Sequence, residues 1–354
     1  MGSTRIAAPV ERLLIRLPNW VGDILMALPA VQALRRHLPA TRFVAMARTA
    51  HVELASRIAA FDQVVPAPPP AGRRRLRAWQ AAVESLRAER LQAAVLLAPS
   101  LESALTARAA GIPVRIGHAT DRRGLLLTHR VAADPGQHRT DGFLALAAAL
   151  GAAPAPESAA LSFQPPERAY ADDLFRQAGI AGEERPVLVN PAAAKTPRAW
   201  SAQRFCRLAE TIAERGAGVP VLVHHHAPFD PPAGWPAHPS IHLVSGATLV
   251  QLGAVIERCR LYVGNDSGPM HVAAALGLPT VGIYGPSTPD HTSPRGGPGA
   301  AHHAVWARFP CSPCRERFFD ECPSPPTADG RPPCLDQVPV DAVAEQVDRL
   351  LENG

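Results

Sequence analysis

The chain has 354 residues, 47% of them hydrophobic and 19% charged, with 38 prolines, six cysteines and a formal net charge of +5. That is enough apolar material for two globular domains, and it excludes a disordered chain. No apolar run approaches the roughly 20 residues that cross a bilayer as a helix, and the basic balance suits an anionic partner without choosing among phosphorylated ligand, membrane surface and nucleic acid.

Short apolar runs alternate with helical patterns from the start. LLIRL (13–17) predicts a strand, the segment from about 22 to 37 a helix, RFVAMA (42–47) a strand and then a short helix. QVV (63–65) predicts a strand, 75–90 a helix, AAVLLA (93–98) a strand, and LESALTARAA (101–110) and 141–150 helices. AAPAPESAALSFQPPER (152–168) is rich in Ala and Pro and reads as an interdomain connection.

The alternation then restarts. PVLVN (186–190), VPVLVH (219–224), RLYVG (260–264) and PTVGIYG (279–285) predict strands; 201–215, 248–257, 271–277 and 340–353 predict helices. Strands separated by helices mean β-α units around parallel sheets. Two such domains in tandem would bind ligands at the carboxyl ends of their strands, in a shared cleft. Glu11, Arg12 and Arg16 interrupt any apolar run near the N-terminus, so no signal peptide is expected, and in the cytoplasm the cysteines would be mainly reduced.

Asp23 stands in the otherwise uncharged run LPNWVGDILMALPAV (17–31). A carboxylate at a helix start commonly caps orphan N–H groups. Here it also stands at the carboxyl end of the first strand, so a cap and a catalytic base are both open. In VGNDSGPMHVAAALGLPTVGIYG (263–285) a strand ends at Gly264, a polar turn follows, and a helix opens at Pro269 or Met270. Its N–H groups with the Ser267 hydroxyl could hold a diphosphate, and an ordinary capped β-α turn is the competing reading. His271 would meet the same anion or be a satisfied helical histidine. Neither half carries G-x-G-x-x-G immediately after its first strand, which weakens NAD binding as an alternative.

The pairing of RLPNWVGDILMALPAVQALRRHLP (16–39) with VGNDSGPMHVAAALG (263–277) resembles the lipopolysaccharide heptosyltransferases of glycosyltransferase family 9, and the W-V-G-D form resembles their heptosyltransferase II branch. GHATDRRGLLLTHRV (117–131), the segment near 190–205 and CSPCRERFFDECP (311–323) extend the likeness. The resemblance implies an α/β GT-B fold: two Rossmann-like domains facing a central cleft, with 1–160 binding the acceptor, 161–335 the nucleotide sugar, and 336–354 a closing helix. It implies inverting transfer of heptose from ADP-heptose to the phosphorylated lipid A–Kdo–heptose core, with no metal and no cofactor. A related enzyme using another nucleotide sugar and a non-catalytic sugar-nucleotide-binding protein are the alternatives.

Under this resemblance Asp23 matches the catalytic aspartate, and Asp266, Ser267, Gly268 and His271, with Pro269 between, match the donor loop. Gly22 would let the acceptor approach closely. The chain departs from the family in NPAAAKTPRAWSAQRF (190–205), where Arg198 stands at the usual lysine position and Lys195, the single lysine, lies three residues upstream. Either could contact the diphosphate. In VHHHAPFD (223–230) Asp230 takes the place of a family glutamate, and three consecutive strand histidines cannot all face one metal.

Cys311, Cys314, Cys322 and Cys334 have the residue types for structural zinc. Similar cysteines recur in the family without a metal role, which favours reduced thiols that order a Pro-rich loop. Arg73, Arg74, Arg75, Arg122, Arg123 and Arg139 are candidate contacts to acceptor phosphate or carboxylate. RRRLRAWQAAVESLRAER (73–90) is either a membrane-facing helix or a solvated face. The expected location is cytoplasmic, peripheral on the inner face of the cytoplasmic membrane. Nucleic acid is not an expected partner, because the basic residues lack interleaved aromatics.

Overall fold

A computed structural model describes residues 10–352 apart from 70, 71, 73, 74, 155–160, 194–197, 217, 226–228, 296–299, 315–321 and 323–331. The chain divides into two compact units, Met1–Ser162 and Phe163–Gly354.

The first unit runs β1 (Arg12–Arg16), α1 (Val21–Met26), α2 (Leu28–His37), β2 (Arg42–Arg48), α3 (Val52–Ala55), β3 (Gln63–Ala67), α4 (Arg75–Ala88), β4 (Ala93–Leu96), α5 (Leu101–Ala109), β5 (Val114–His118), a 3-10 turn (Arg123–Leu126), β6 (His129–Val131) and α6 (Arg139–Ala148). The second runs α7 (Pro165–Gln177), β7 (Val187–Asn190), α8 (Ala202–Arg215), β8 (Val221–His225), β9 (Ile241–Ser245), α9 (Leu249–Glu257), β10 (Leu261–Asn265), α10 (Gly268–Ala275), β11 (Thr280–Tyr284), α11 (Pro289–Thr292), β12 (His302–Trp306), α12 (Pro333–Asp336) and α13 (Val340–Glu352).

Each unit holds a six-stranded sheet, β3-β2-β1-β4-β5-β6 and β9-β8-β7-β10-β11-β12, paired in parallel throughout. Parallel strands are covered on both faces, which is why Leu13–Ile15 and Ala93–Leu96 are fully buried apolar runs and not alternating ones. In both sheets the chain reverses direction beside its first strand, between β1 and β4 and between β7 and β10. Loops leaving the carboxyl ends of those strands form the crevice where open α/β sheets bind ligands.

Several elements differ from expectation. The helix predicted over 22–37 is two helices, broken at Ala27, because Pro29 has no N–H to give the Leu25 carbonyl and its ring crowds that turn. The stretch read as a connection contains the start of α7: Pro165 and Pro166 occupy its first turn, where a missing N–H costs nothing, and Glu167 accepts from the Gln164 N–H. The chain passes between units within three residues. Leu161 bridges to Ile58, the Ser162 N–H bonds the Arg57 carbonyl, and Phe163 packs so closely on α9 that a Cβ at Gly253 would lie 2.3 Å from its ring. α13 packs on α8 through Val343, Ala344, Val347 and Leu350. Among the described residues no helix is long and apolar enough to cross a membrane.

Candidate active site

In the first unit the turn after β1 is braced from below. Arg16 is buried, donates from Nη1 to the Leu17 carbonyl at 2.5 Å and from Nη2 to Asn19 Oδ1 at 3.1 Å. Its burial brings its pKa down to about 10, with Glu102 opposing and Arg48 adding to the shift. His51 Nε2 lies 3.2 Å from the Asn19 carbonyl. Trp20 is the N-cap of α1 and contributes no side-chain cap. Asp23 is therefore third in the helix, with its carboxylate on the first turn.

The Asp23 side chain is 20% exposed, and Arg139 Nε stands 3.9 Å from its Oδ1. Arg139 opens α6, which packs on α1 and α2 and whose N-cap His138 accepts from the Thr140 N–H at 3.2 Å. Gly22 precedes Asp23 in the same turn. The structure thus brings three expected residues, Gly22, Asp23 and Arg139, to one edge of the first sheet.

Arg123 is a correction. It is fully buried and donates to the carbonyls of His118 at 2.8 Å, Ala98 at 2.5 Å and Leu96 at 3.4 Å and to Ser103 Oγ at 2.9 Å. Burial brings its pKa down to about 10, against the pull of Asp121. It braces the end of β4 and has no face left for an acceptor. Arg122 beside it is exposed, in a left-handed conformation with φ 55°. Arg75 is exposed at the start of α4, whereas Arg73 and Arg74 lie outside the described residues.

In the second unit two asparagines staple the loops at the β7/β10 crevice. Asn265 Oδ1 accepts from the Trp200 N–H at 2.9 Å while its Nδ2 donates to the Pro191 carbonyl at 3.0 Å, and Asn190 Oδ1 accepts from Ala192 at 2.9 Å. Trp200 anchors the far end: it is 1% exposed, meets Phe205 edge to face at 5.0 Å, and donates to the Val338 carbonyl at 3.1 Å. A Cβ at Gly264 would stand 2.7 Å from the Asn190 carbonyl, so only glycine lets β10 pass there.

Held between these staples, Arg198 donates to Asp266 Oδ2. The same oxygen accepts from Ser287 at 2.5 Å and Thr292 at 3.4 Å, and His271 Nε2 lies 3.8 Å from Oδ1. Burial alone would raise the Asp266 pKa. The Arg198 guanidinium, His271 and Ser287 outweigh it and hold the carboxyl down to about 2. Asp266 was expected to bind the donor; its carboxylate is engaged by Arg198, Ser287 and Thr292, and the Arg198 side chain remains 21% exposed.

Ser267 is the N-cap of α10 with φ −150° and ψ 168°, and its side chain does not cap the helix. Its hydroxyl is buried without a hydrogen-bond partner among the described residues. Pro269 has no N–H and the Met270 N–H bonds the Ser267 carbonyl at 3.2 Å, so the Gly268 N–H is one helix-start donor suited to an anion. Asp230 is exposed after β8 and no hydrogen bond joins it to Arg198 or Asp266 among the described residues. Lys195 lies outside the described residues.

The cysteines are free thiols. The Cys314 N–H bonds the Pro286 carbonyl at 2.8 Å, and burial, with Cys314, Cys322 and Cys311 adding, pushes the Cys334 thiol up to about 12. Among the described residues no three His, Cys, Asp or Glu side chains form a group able to hold a metal. Asn190, Asn265, Ser287 and Thr292 were not singled out from sequence. For Asn190, Asn265 and Ser287 the signal was position alone, at or just after the carboxyl end of a strand, whereas Thr292 closes α11 and carried none.

The model of glycosyltransferase family 9 (heptosyltransferase) matches residues 79–322. Lipopolysaccharide heptosyltransferase 2 of Escherichia coli K12 is 30% identical over 300 residues, covering 80% of this chain and 85% of that protein. Lipooligosaccharide heptosyltransferase 2 of Haemophilus ducreyi is 29% identical over 299 residues, covering 80% and 86%. The solved structure of E. coli ADP-heptose LPS heptosyltransferase II matches with a TM-score of 0.73 at 24% identity, over 97% of this chain and 99% of that one. E. coli heptosyltransferase WaaC with ADP-2-deoxy-2-fluoro heptose matches with a TM-score of 0.66 at 18% identity, over 97% and 100%. The two structures establish the GT-B fold, and with the family match over more than two thirds of its length this chain belongs to glycosyltransferase family 9.

Proposed function

We propose that this glycosyltransferase moves heptose from ADP-heptose to the phosphorylated inner core of lipopolysaccharide, with inversion at the anomeric carbon. The observation that carries the reading is the 30% identity across 80% of the chain to a protein named lipopolysaccharide heptosyltransferase 2. The first unit serves the acceptor and the second the donor. Asp23 takes the proton of the acceptor hydroxyl as its oxygen attacks the anomeric carbon. The bond from that carbon to ADP breaks, and the departing diphosphate gathers charge that Arg198, the Gly268 N–H and the Ser267 hydroxyl are suited to receive. Lys195 is a second candidate for that charge. Arg139 orients Asp23, and Gly22 leaves room for the acceptor. With a lipid acceptor, the enzyme works at the inner face of the cytoplasmic membrane.

Incubation with a panel of ADP-, UDP- and GDP-sugars and truncated core lipid, read by mass spectrometry, tests the reading. Addition of one heptose from ADP-heptose alone is expected. Transfer from a UDP- or GDP-sugar would replace the donor, and no transfer from any of them would overturn the reading.

A further inference from the structure

Large apolar side chains exposed to solvent are concentrated in the first unit. Among the described residues they are Trp20, Leu76, Leu101, Leu105 and Leu125 there and Leu243 in the second unit. Single exposed leucines are ordinary. Four of these are joined through packed elements. Leu101 and Leu105 are 44% and 43% exposed and stand at i and i+4 on α5, followed by exposed Arg108 at i+7. Leu125 is 84% exposed on the 3-10 turn that packs on α5, where the Leu101 N–H is bonded to Asp121 Oδ2 at 2.6 Å. Leu76 is 66% exposed on α4, which is tied to α5 by Trp79 Nε1 donating to Thr106 Oγ1 at 2.9 Å.

The rim of this patch is cationic. Arg122 is exposed next to Asp121, whose carboxylate is occupied by the Leu101 N–H. Arg130 is exposed with its Nε 4.0 Å from where a Cβ at Gly124 would stand, so it lies along the same turn. Arg115 donates to the Leu126 carbonyl at 2.7 Å, and after burial its next largest perturber is Arg108, one like charge beside another. Glu102 is half-buried and acts on Arg16. Three of the four leucines sit in the first turn after β3 or β4 or in the turn after β5, at the sheet edge that carries Asp23 after β1.

We propose that this α4–α5–turn face is the surface on which the enzyme docks to an anionic phospholipid bilayer, the leucines entering the headgroup boundary and Arg108, Arg122 and Arg130 meeting lipid phosphates. Apolar insertion combined with basic flanks is the chemistry of interfacial binding. Its purpose rests on the lipid-acceptor reading above; its geometry does not.

The test is co-sedimentation of the full chain, without nucleotide, with vesicles of phosphatidylcholine alone or with phosphatidylglycerol. Binding is expected only to the anionic vesicles, and Leu105→Ser with Leu125→Ser should lower the partition coefficient about tenfold or more. The double variant should keep wild-type turnover on a deacylated, soluble acceptor while losing it on acceptor embedded in vesicles. Wild-type protein that stays in solution with anionic vesicles, or a double variant that sediments as well as wild type, would overturn the proposal. So would light scattering showing that the substitutions dissociate a dimer, which would assign the patch to a second copy. Loss of sedimentation with normal turnover on soluble acceptor separates failure of docking from failure of the glycosyltransferase reading.

Discussion

Asp23 and Asp266 are both carboxylates just past the end of a strand, and their surroundings part them. Asp23 is partly open with one guanidinium at 3.9 Å, and Asp266 is 5% exposed with four side chains around it. The first suits proton transfer and the second suits holding other groups still. Asp23→Asn is expected to lower kcat by about 10²–10⁴ while ADP affinity by calorimetry stays at the wild-type value; unimpaired turnover would remove Asp23 from the mechanism. For Asp266 the folded-state pKa of about 2 lies below the ordinary 3.8. Its contribution of about 2 kcal/mol is therefore present above pH ~4 and lost as pH falls towards 2. Asp266→Asn should remove that slope from an acid titration of stability, and an unchanged slope would contradict the assignment. Sequence could not separate residues at this scale. Arg122 and Arg123 are neighbours in one motif, yet one is exposed and the other fully buried with its guanidinium donating to the His118, Ala98 and Leu96 carbonyls.

Elements that carry the site are fixed by side chains outside the site. Asn265 holds the ends of the 191–200 loop from the end of β10, and Asn265→Ala would leave the Trp200 N–H and Pro191 carbonyl buried and unpaired. That costs about 1–3 kcal/mol and is expected to raise the donor KM several-fold with a smaller change in kcat; a thermal melt and a KM-against-kcat comparison check it. The strands legible in sequence were β1 to β4 in the first unit and β7, β8, β10 and β11 in the second, most of them central apolar runs. Those missed, β6, β9 and β12, are sheet edges with mixed composition such as HRV and IHLVS, and edge strands need no continuous apolar run. β5 was missed beside one of them, its two ends only half-buried. Prolines misled twice: Pro29 broke a helix that periodicity joined, and Pro165 began one that composition read as linker.

At the scale of the whole molecule, the alternation of runs made two parallel α/β layers readable, whereas the strand order came from the structure. The pairing of Asp23 with Arg139 across 116 positions and of Arg198 with Asp266 across 68 was not readable from spacing, because it depends on which helices pack together. Two units with separate cores should respond separately to ligand. Scanning calorimetry is expected to resolve two transitions, with ADP at about 100 Kd adding about 2.7 kcal/mol to the second unit alone; equal shifts of both would contradict a nucleotide site confined to Phe163–Gly354.

Among the described residues no strand is exchanged between the sheets: β1 to β6 all come from residues before 132 and β7 to β12 all from residues after 186. A ribosome therefore delivers every strand of the first layer before any strand of the second leaves the exit tunnel. The amino-terminal half can reach its native pairing co-translationally, so the slow search that parallel crossovers impose is divided into two shorter ones, run in sequence.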